Sequence, residues 1–226
     1  MDSTTLGMLI PADKKITDAD SWAFIVTYEE MGYVEDEDAD DIDYTELLEG
    51  MRTDMEAGNE SRAAEGYEPI KLIGWAADPF YDSDKKVLHW AKELKFGESE
   101  HNTLNYNVRI LGRKGVLVLN AVGNMNQLED VKTNIPSVMS SFAYADGNKY
   151  ADFDPEVDEI AAWTIGSLVA GKVLAKAGIF ALLLKNIKLI GLGLIGLFTA
   201  GWKWFKRKSE PPVVRTIGGE SPETKS

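Results

Sequence analysis

One uncharged run near the C-terminus restricts the surroundings of this chain more than any other feature. Residues 189–202 contain no charged side chain. About 20 apolar residues are enough to cross a bilayer, and lysines at the ends of such a helix can reach the headgroups. Tryptophan beside Lys and Arg is typical of a membrane interface. The pattern predicts a transmembrane helix over 187–205, with these anchoring residues: Lys188, Gly193, Gly196, Ala200, Trp202, Lys203, Trp204, Lys206, Arg207 and Lys208.

The same run contains the letters GLGLIG, from Gly191 to Gly196, which match the spacing of a dinucleotide-binding loop. In such a loop the glycines follow a strand and open a helix, and an acidic residue comes about twenty positions later. Here they lie inside an apolar run that ends in a basic cluster, so we predict no cofactor. The small residues Gly193, Gly196 and Ala200 instead form a helix face that another helix can approach closely, which allows a homo-oligomer.

Charge divides the chain into two unlike parts. Residues 1–159 hold 14 Lys and Arg against 34 Asp and Glu, a net of −20, whereas residues 160–226 hold 10 against 3, a net of +7. The acidic part has no basic stripe, which excludes nucleic acid as a partner. The basic, apolar part suits an anionic lipid surface, so we expect the bilayer as a partner. The chain has no cysteine, which excludes disulfides and thiolate chemistry.

The stretch before the predicted span allows two interpretations. Residues 159–186 are largely apolar, but Lys172 and Lys176 lie four apart on one helical face. Two lysines near the middle of a span cost about 2.5–3.5 kcal/mol each, so we favour an amphipathic or membrane-embedded helix there. A helical hairpin that turns at 185–188 is the alternative, although no Gly or Pro marks that turn. The tail, 206–226, is basic at first and then has a disordered composition.

The front part, residues 1–158, is predicted to be an acidic, soluble α+β domain. Leu104, Tyr106 and Val108 alternate with polar residues, as in a half-buried strand. The run 115–122 is apolar on both faces and is expected to be a central strand. Helices with apolar residues three and four apart are predicted at 43–66 and 125–144, the second despite Pro136. These elements predict a mostly antiparallel sheet covered by helices, which resembles a PsbP-like sandwich by analogy. The other predicted strands are 21–30, 70–81, 86–96 and 103–113.

An acidic run invites a calcium site. Asp36, Asp38 and Asp40 have the first three spacings of an EF-hand loop, but Asp41 replaces the glycine of the sixth position and Leu47 the glutamate of the twelfth. They are therefore weak metal candidates. Acidic residues before a helix also favour its N-terminus, and we prefer this interpretation of a solvated helix start.

The two histidines give little support to a catalytic or metal site. His89 lies on one strand face with Val87 and Ala91, and it is interpreted as a packed or surface histidine. His101 follows Glu98 and Glu100 in a polar loop, and one histidine with flexible glutamates is a poor zinc site. The usual hydrolase, metalloprotease and phosphate-loop spacings are absent from the sequence.

Four phrases of the sequence are distinctive: GYVEDEDADDIDYTELLEGM, LIGWAADPFYDSDKKVLHWAKELKFG, TLNYNVRILGRKGVLVLNAVG and YADFDPEVDEIAAWTIGSLVAGKVLAKAG. Through these phrases the chain resembles a known family of bacterial membrane-anchored proteins, the domain of unknown function 2167 family. The resemblance covers nearly the whole chain and implies an anchor near the C-terminus, but no established activity and no functional residues. Members generally begin with a secretory signal and an extra N-terminal segment, so we expect this sequence to start inside the family's domain.

These observations lead to a functional hypothesis. We expect a protein of the bacterial inner membrane with a single span, whose soluble domain binds or scaffolds a protein partner. The cluster after the span is the densest in Lys and Arg, and such clusters stay cytoplasmic, which places residues 1–158 in the periplasm. One alternative is an enzyme of an unfamiliar class with a carboxylate, Tyr and His cleft. Another is that the C-terminal helices oligomerise or act on the bilayer.

Overall fold

Six strands form one antiparallel sheet that organises the protein. The computed structural model describes residues 2–18 and 20–174, and within it the strands run in the order β1-β2-β7-β6-β5-β4. Two further strands pair in parallel beside this sheet. The predicted α+β class with a mostly antiparallel sheet is confirmed. The elements are β1 (Asp2–Leu9), β2 (Ala23–Glu30), β3 (Tyr33–Glu35), α1 (Tyr44–Ala64), β4 (Ile70–Asp82), β5 (Val87–Phe96), β6 (Thr103–Leu111), β7 (Gly115–Asn124), α2 (Leu128–Ser140), β8 (Ile160–Thr164) and α3 (Ile165–Ala170).

Four consecutive strands, β4 to β7, follow one another as hairpins, and β7 then pairs with β2. The turn between β6 and β7 is closed by a hydrogen bond from the Gly112 N–H to the Gly115 carbonyl, 2.9 Å. Arg113 and Lys114 therefore form a tight hairpin turn between the two strands. Strand β7 lies between β2 and β6, as expected of an apolar run that has no solvent-facing side.

One side of the sheet, the α2 face, carries a continuous apolar core. Phe24, Leu104 and Leu119 have no exposed surface on this side, and Val131 and Ile135 of α2 pack over them. Pro136 lies inside α2, where the helix is only 13 residues long. The apolar stripe of α2 orients the helix on the sheet. Burial of this stripe stabilises the fold by about 25 cal/mol for each Å² of apolar surface removed from water.

The opposite side, the β8 face, is covered by α1, α3 and the pair β3–β8. Val34, Ile165 and Trp90 are almost completely buried here. The α1 helix begins at the Asp43 cap, whose carboxylate accepts hydrogen bonds from the N–H groups of Thr45 and Glu46. The long α1 then follows strand β4 along the edge of the sheet.

The structure corrects the predicted boundary after residue 158. Ile160–Thr164 forms a strand in place of the start of a long helix, and Ala161 and Thr164 are buried against the sheet. Gly32, with a φ of +89°, allows β3 to approach this segment, because a Cβ there would lie 2.8 Å from the Glu159 carbonyl oxygen. Within the described residues, the stretch 161–169 is therefore largely buried in protein, and the compact unit extends to Leu174.

Two further differences concern the sheet. Strand β6 was predicted to be half-buried, but Asn107 on its polar side is only 5% exposed, because α1, α3 and β8 cover much of that side. The short strand β3 and the N-terminal strand β1 were not predicted at all.

Within the described residues, no helix is long and apolar enough to cross a membrane. The predicted span, 187–205, and the tail, 206–226, lie outside these residues.

Candidate functional site: the half-covered β8 face

Polar side chains interrupt the β8 face where its apolar cover ends. The register places Trp90 opposite Asn107, and Asn107 opposite Asn120, in one row across β5, β6 and β7. The buried apolar cluster under β8 and α3 reaches Trp90 but includes no residue beyond it on these strands. Lys92 and Asn105 form the next row, so amides and a cation replace hydrocarbon on this part of the face.

Three asparagines of this region form a connected set of hydrogen bonds. The Asn107 amide nitrogen donates to the Asn105 side-chain oxygen at 2.9 Å, and the Asn105 amide nitrogen donates to the Asn120 side-chain oxygen at 2.9 Å. Asn107 also donates to the Asn105 carbonyl at 3.1 Å. The bonds all run in one direction, so the side-chain oxygens of Asn105 and Asn120 accept inside the set and that of Asn107 does not. We call these three residues the amide cluster.

Two cations flank the amide cluster, and burial lowers the pKa of both. The Arg109 guanidinium lies 5.1 Å from the centre of the Trp90 ring, and burial lowers the pKa of Arg109 to about 10, against an opposing effect of Glu29. The pKa of Lys92 is lowered by burial and, secondarily, by the charge of Arg109. We call Lys92 and Arg109 the cation pair.

Beyond the amide cluster, the sheet ends in an exposed apolar strip and an open edge. Met8 lies opposite Ile25, and Ile25 lies opposite Asn120, so the strip adjoins the cluster. Ile25 and Val122 are 40% and 42% exposed. Among the described residues, strand β1 pairs with β2 and with no other strand, and residues 3–9 are all exposed.

The predicted metal candidates are not brought together as ligands. Asp36 is held by three donors: the Tyr81 hydroxyl at 2.6 Å, the Lys86 ammonium at 2.7 Å and the Tyr150 hydroxyl at 2.9 Å. Burial would raise the pKa of Asp36, but these hydrogen bonds outweigh it and lower that pKa. The same contacts and burial raise the pKa of both tyrosines. This group of four residues is called the Asp36 cluster.

Asp38 and Asp40 differ from Asp36 and from each other. Asp38 accepts hydrogen bonds from the N–H groups of Ile165 and Gly166, both at 3.1 Å, whereas Asp40 is exposed. The interpretation of the acidic run as a helix start is confirmed for Asp43, which caps α1, and is wrong for Asp36 and Asp38, which join distant segments. Among the described residues, no group of three or more His, Asp or Glu could hold a metal ion.

Neither histidine joins the other candidates. His89 lies on the α2 face, with its Nδ1 3.0 Å from the Tyr106 hydroxyl, and burial lowers its pKa. Asp36 packs against the β8 face through Tyr81. His89 and the Asp36 cluster are therefore on opposite sides of the sheet and do not line one cleft. His101 lies in an exposed turn, where its N–H and carbonyl contact the Ser99 hydroxyl.

Pockets of the described surface do not gather catalytic groups either. One of about 290 Å³ lies between α1 and β4 and includes Arg52 and Leu72, whose carbonyl accepts from the Arg52 guanidinium at 3.2 Å. Another, of about 600 Å³, includes Lys114, Glu159 and Trp163. Both are open, and their charged groups are those of ordinary surface.

The sequence interpretation missed the amide cluster and the cation pair. A signal was present, because Asn105, Asn107 and Arg109 occupy one side of a strand that has a predicted strand before and after it. A central strand with a polar side either faces solvent or holds a polar site. The predicted anchoring residues, from Lys188 to Lys208, lie outside the described part of the chain.

Comparisons with known proteins give a family and no activity. Residues 1–199 match the model of a family described as "Protein of unknown function (DUF2167)". No curated protein matches the chain. No solved structure matches it either.

Proposed function

Because the chain belongs to the DUF2167 family of proteins of unknown function, we propose a function from its own surface: a binding domain that is held at a membrane and pairs with a second copy of itself through β1. The scaffold so formed is a continuous sheet across two copies. The observation that carries the proposal is the open, uncharged edge of β1.

After Asp2, strand β1 lacks the charges and the proline that often protect an edge, and its one protective irregularity is the register shift between Thr5 and Gly7. A sheet edge exposes unpaired backbone N–H and C=O groups, and natural proteins protect it with lysine, proline or a cover. Residues 3–10 of this edge contain no charge and no proline. Leu6 and Met8 are 58% and 54% exposed, and Leu6 lies at the register shift between Thr5 and Gly7. An eight-residue strand of this kind favours pairing with another strand.

A second copy is the occupant that fits this edge. Two identical antiparallel strands pair about a twofold axis, which gives a closed dimer. Because residues 3–10 are uncharged, such pairing brings no like charges directly opposite each other. The net charge of −20 on residues 1–159 opposes association, but charges farther apart than about 8 Å are largely screened at physiological salt.

Membrane attachment is the second part of the proposal. Residues 187–205 are proposed to cross the inner membrane of a bacterium once, with the binding domain on the periplasmic side. The uncharged run 189–202 and the basic cluster that follows it support this proposal. Attachment to one membrane raises the effective concentration of two copies, so a weak β1 pairing is sufficient.

The β1 pairing is tested by the mass of the detergent-solubilised full chain, measured by light scattering after gel filtration. The protein should be a dimer, and Leu6→Lys with Met8→Lys should make it a monomer. Ile16→Lys, at a residue that is 55% exposed and lies outside β1, should leave the dimer intact. A wild-type monomer at all concentrations would refute the pairing. So would a dimer that survives the two lysines but is lost in Gly196→Leu, since that result assigns association to the predicted span.

Attachment is tested by alkaline carbonate extraction of the full chain and of a chain that ends at Leu174. The full chain should remain in the membrane pellet, and the shortened chain should be released. The cut is made after Leu174 because a cut after Asp158 removes β8 and α3 from the core. The side of the membrane is read by maleimide labelling of Ser99→Cys and Ser221→Cys in spheroplasts. Only the first should react, and labelling of both would indicate the helical hairpin.

A further inference from the structure

Lys92 has no counter-charge in the described part of the structure. Its side chain is mostly buried, and among residues 2–18 and 20–174 no hydrogen bond or ion pair of its ammonium group is found. The opposite residue on β6 is Asn105, which is neutral. The Lys92 ammonium group is not among the fully buried polar atoms of the described residues, so it stays accessible from solvent while burial of the rest of the side chain partly desolvates its charge.

Arg109 is only partly satisfied. Of the five N–H donors of a guanidinium group, one donates to the Val108 carbonyl at 3.2 Å. The charge faces the Trp90 ring on one side, and Glu29 is near enough to act on it but makes no ion pair with it. The remaining donors of Arg109 therefore have no acceptor among the described residues.

The amide cluster also ends in unused donors. Because the hydrogen bonds run from Asn107 to Asn105 to Asn120, the Asn120 amide nitrogen is the end of the set, and it donates to nothing in the described structure. Trp90 adds another donor, since its indole N–H is buried without a partner there. Cations and N–H donors are thus gathered on one part of the β8 face, and among the described residues no carboxylate lies within 4 Å of Lys92 or Arg109.

We propose that the cation pair and Asn120 bind an oxyanion, the carboxylate or phosphate group of a small molecule. Guanidinium, ammonium and amide N–H groups together supply charge-assisted hydrogen bonds to the oxygens of such a group. Ile25 and Val122 border the amide cluster and are exposed, so an apolar portion of the molecule lies on them. The site is independent of the pairing at the β1 edge.

The test uses the full chain in detergent, with thermal unfolding followed by tryptophan fluorescence. The probes are inorganic phosphate, acetate and hexanoate, against chloride at the same ionic strength. Phosphate or a carboxylate should raise the unfolding temperature, and hexanoate should act at a lower concentration than acetate because its chain covers Ile25 and Val122. Phosphate acting alone assigns the site to phosphate, and the carboxylates acting alone assign it to carboxylate.

Variants decide whether the effect comes from this site. Lys92→Met should fold, since methionine fills similar space without a charge, and it should weaken the anion effect about tenfold or more. Lys71→Met is the matched control, because Lys71 is an exposed lysine of strand β4. It should bind like the wild type. The proposal is wrong if no probe exceeds chloride, or if the response persists unchanged in both Lys92→Met and Arg109→Met.

Discussion

The Asp36 cluster and the cation pair are two groups of partly buried charges on the same side of the sheet, and they are built in opposite ways. Asp36 has three donors around two carboxylate oxygens, and one of them, Lys86, neutralises its charge. Lys92 and Arg109 bring two positive charges together and find no carboxylate within 4 Å among the described residues.

This difference separates a structural role from a binding role. The Asp36 cluster joins β3 to the β4–β5 turn and to Tyr150, so its hydrogen bonds hold together segments that are far apart in sequence. Lys86 has a φ of 57° in that turn, an uncommon conformation that positions its ammonium group on Asp36. A satisfied network rigidifies the fold, whereas an unsatisfied one has capacity for a ligand.

The largest effect is expected from removing the centre of the satisfied cluster. Asp36→Ala leaves Lys86 and the Tyr81 hydroxyl without their acceptor, whereas the Tyr150 hydroxyl keeps the Val34 carbonyl at 3.0 Å. The Asp36 side chain is 20% exposed at this site. The free energy of unfolding should fall by about 2–3 kcal/mol, measured by urea unfolding.

The matched control for this substitution is Asp40→Ala in the same acidic run. Asp40 is exposed, so its loss should change the free energy of unfolding by less than about 0.5 kcal/mol. Equal losses of unfolding free energy in the two variants would show that Asp36 acts only through the general charge of the acidic run. The structural role of the Asp36 cluster would then be refuted.

The next largest effect is expected at low pH, where Asp36 should lose its contribution to the free energy of unfolding. Its pKa is lowered in the folded protein, so its contribution is present above the pKa of a free aspartate, about 4, and is lost as the pH falls below it. Urea unfolding of the wild type and of Asp36→Asn should differ most near pH 7, and the difference should shrink below about pH 4. A difference that stays constant down to pH 3 would contradict this assignment.

The unsatisfied pair should respond to mutation with the opposite sign. In buffer without phosphate or carboxylate, Lys92→Met should leave the free energy of unfolding unchanged or raise it by up to about 1 kcal/mol, because a buried unpaired charge is replaced by an apolar chain. Differential unfolding in urea checks this, with Lys71→Met as the reference. A loss of 2 kcal/mol would show that Lys92 has a stabilising partner.

The smallest effect should appear in alkali. Because the pKa of Lys92 is lowered in the fold, the unfolded chain binds more protons just below pH 10.5, and the stability penalty of Lys92 is relieved as the pH rises through that window. Any advantage of Lys92→Met over the wild type should therefore decline as the pH rises towards 10.5. Titration effects of the tyrosines are common to both proteins and cancel in the comparison.

Much of the fold could be predicted from local sequence patterns. The alternation in β6, the apolar run of β7 and the apolar spacings of α1 and α2 all indicated the observed elements, because hairpin strands and amphipathic helices are determined by neighbours close in sequence. Strand β8 could not be predicted in this way. It is paired with β3, more than 120 residues earlier, and its small apolar residues equally suit a helix beside a lipid surface.

The roles of the residues in the candidate site could not be predicted from the sequence, because they depend on partners that are distant in sequence. Whether Asp36 binds metal or holds the fold depends on Tyr81, Lys86 and Tyr150, which come from two distant segments. Lys92 and Arg109 look like ordinary surface residues in the sequence. Only the register of β5 and β6, with the cover of α1 and α3, shows that they share a largely buried side.

The late position of α3 in the chain has a consequence for biosynthesis. Strand β7 ends at Asn124, but the elements that cover Trp90 and Val116 end at Ala170. At about 5–20 residues per second, the β8 face of a nascent chain stays open for roughly 2–9 s. During that interval its apolar side chains are available to chaperones, and Asp38 has no N–H group of α3 to accept from until Ile165 and Gly166 have been added.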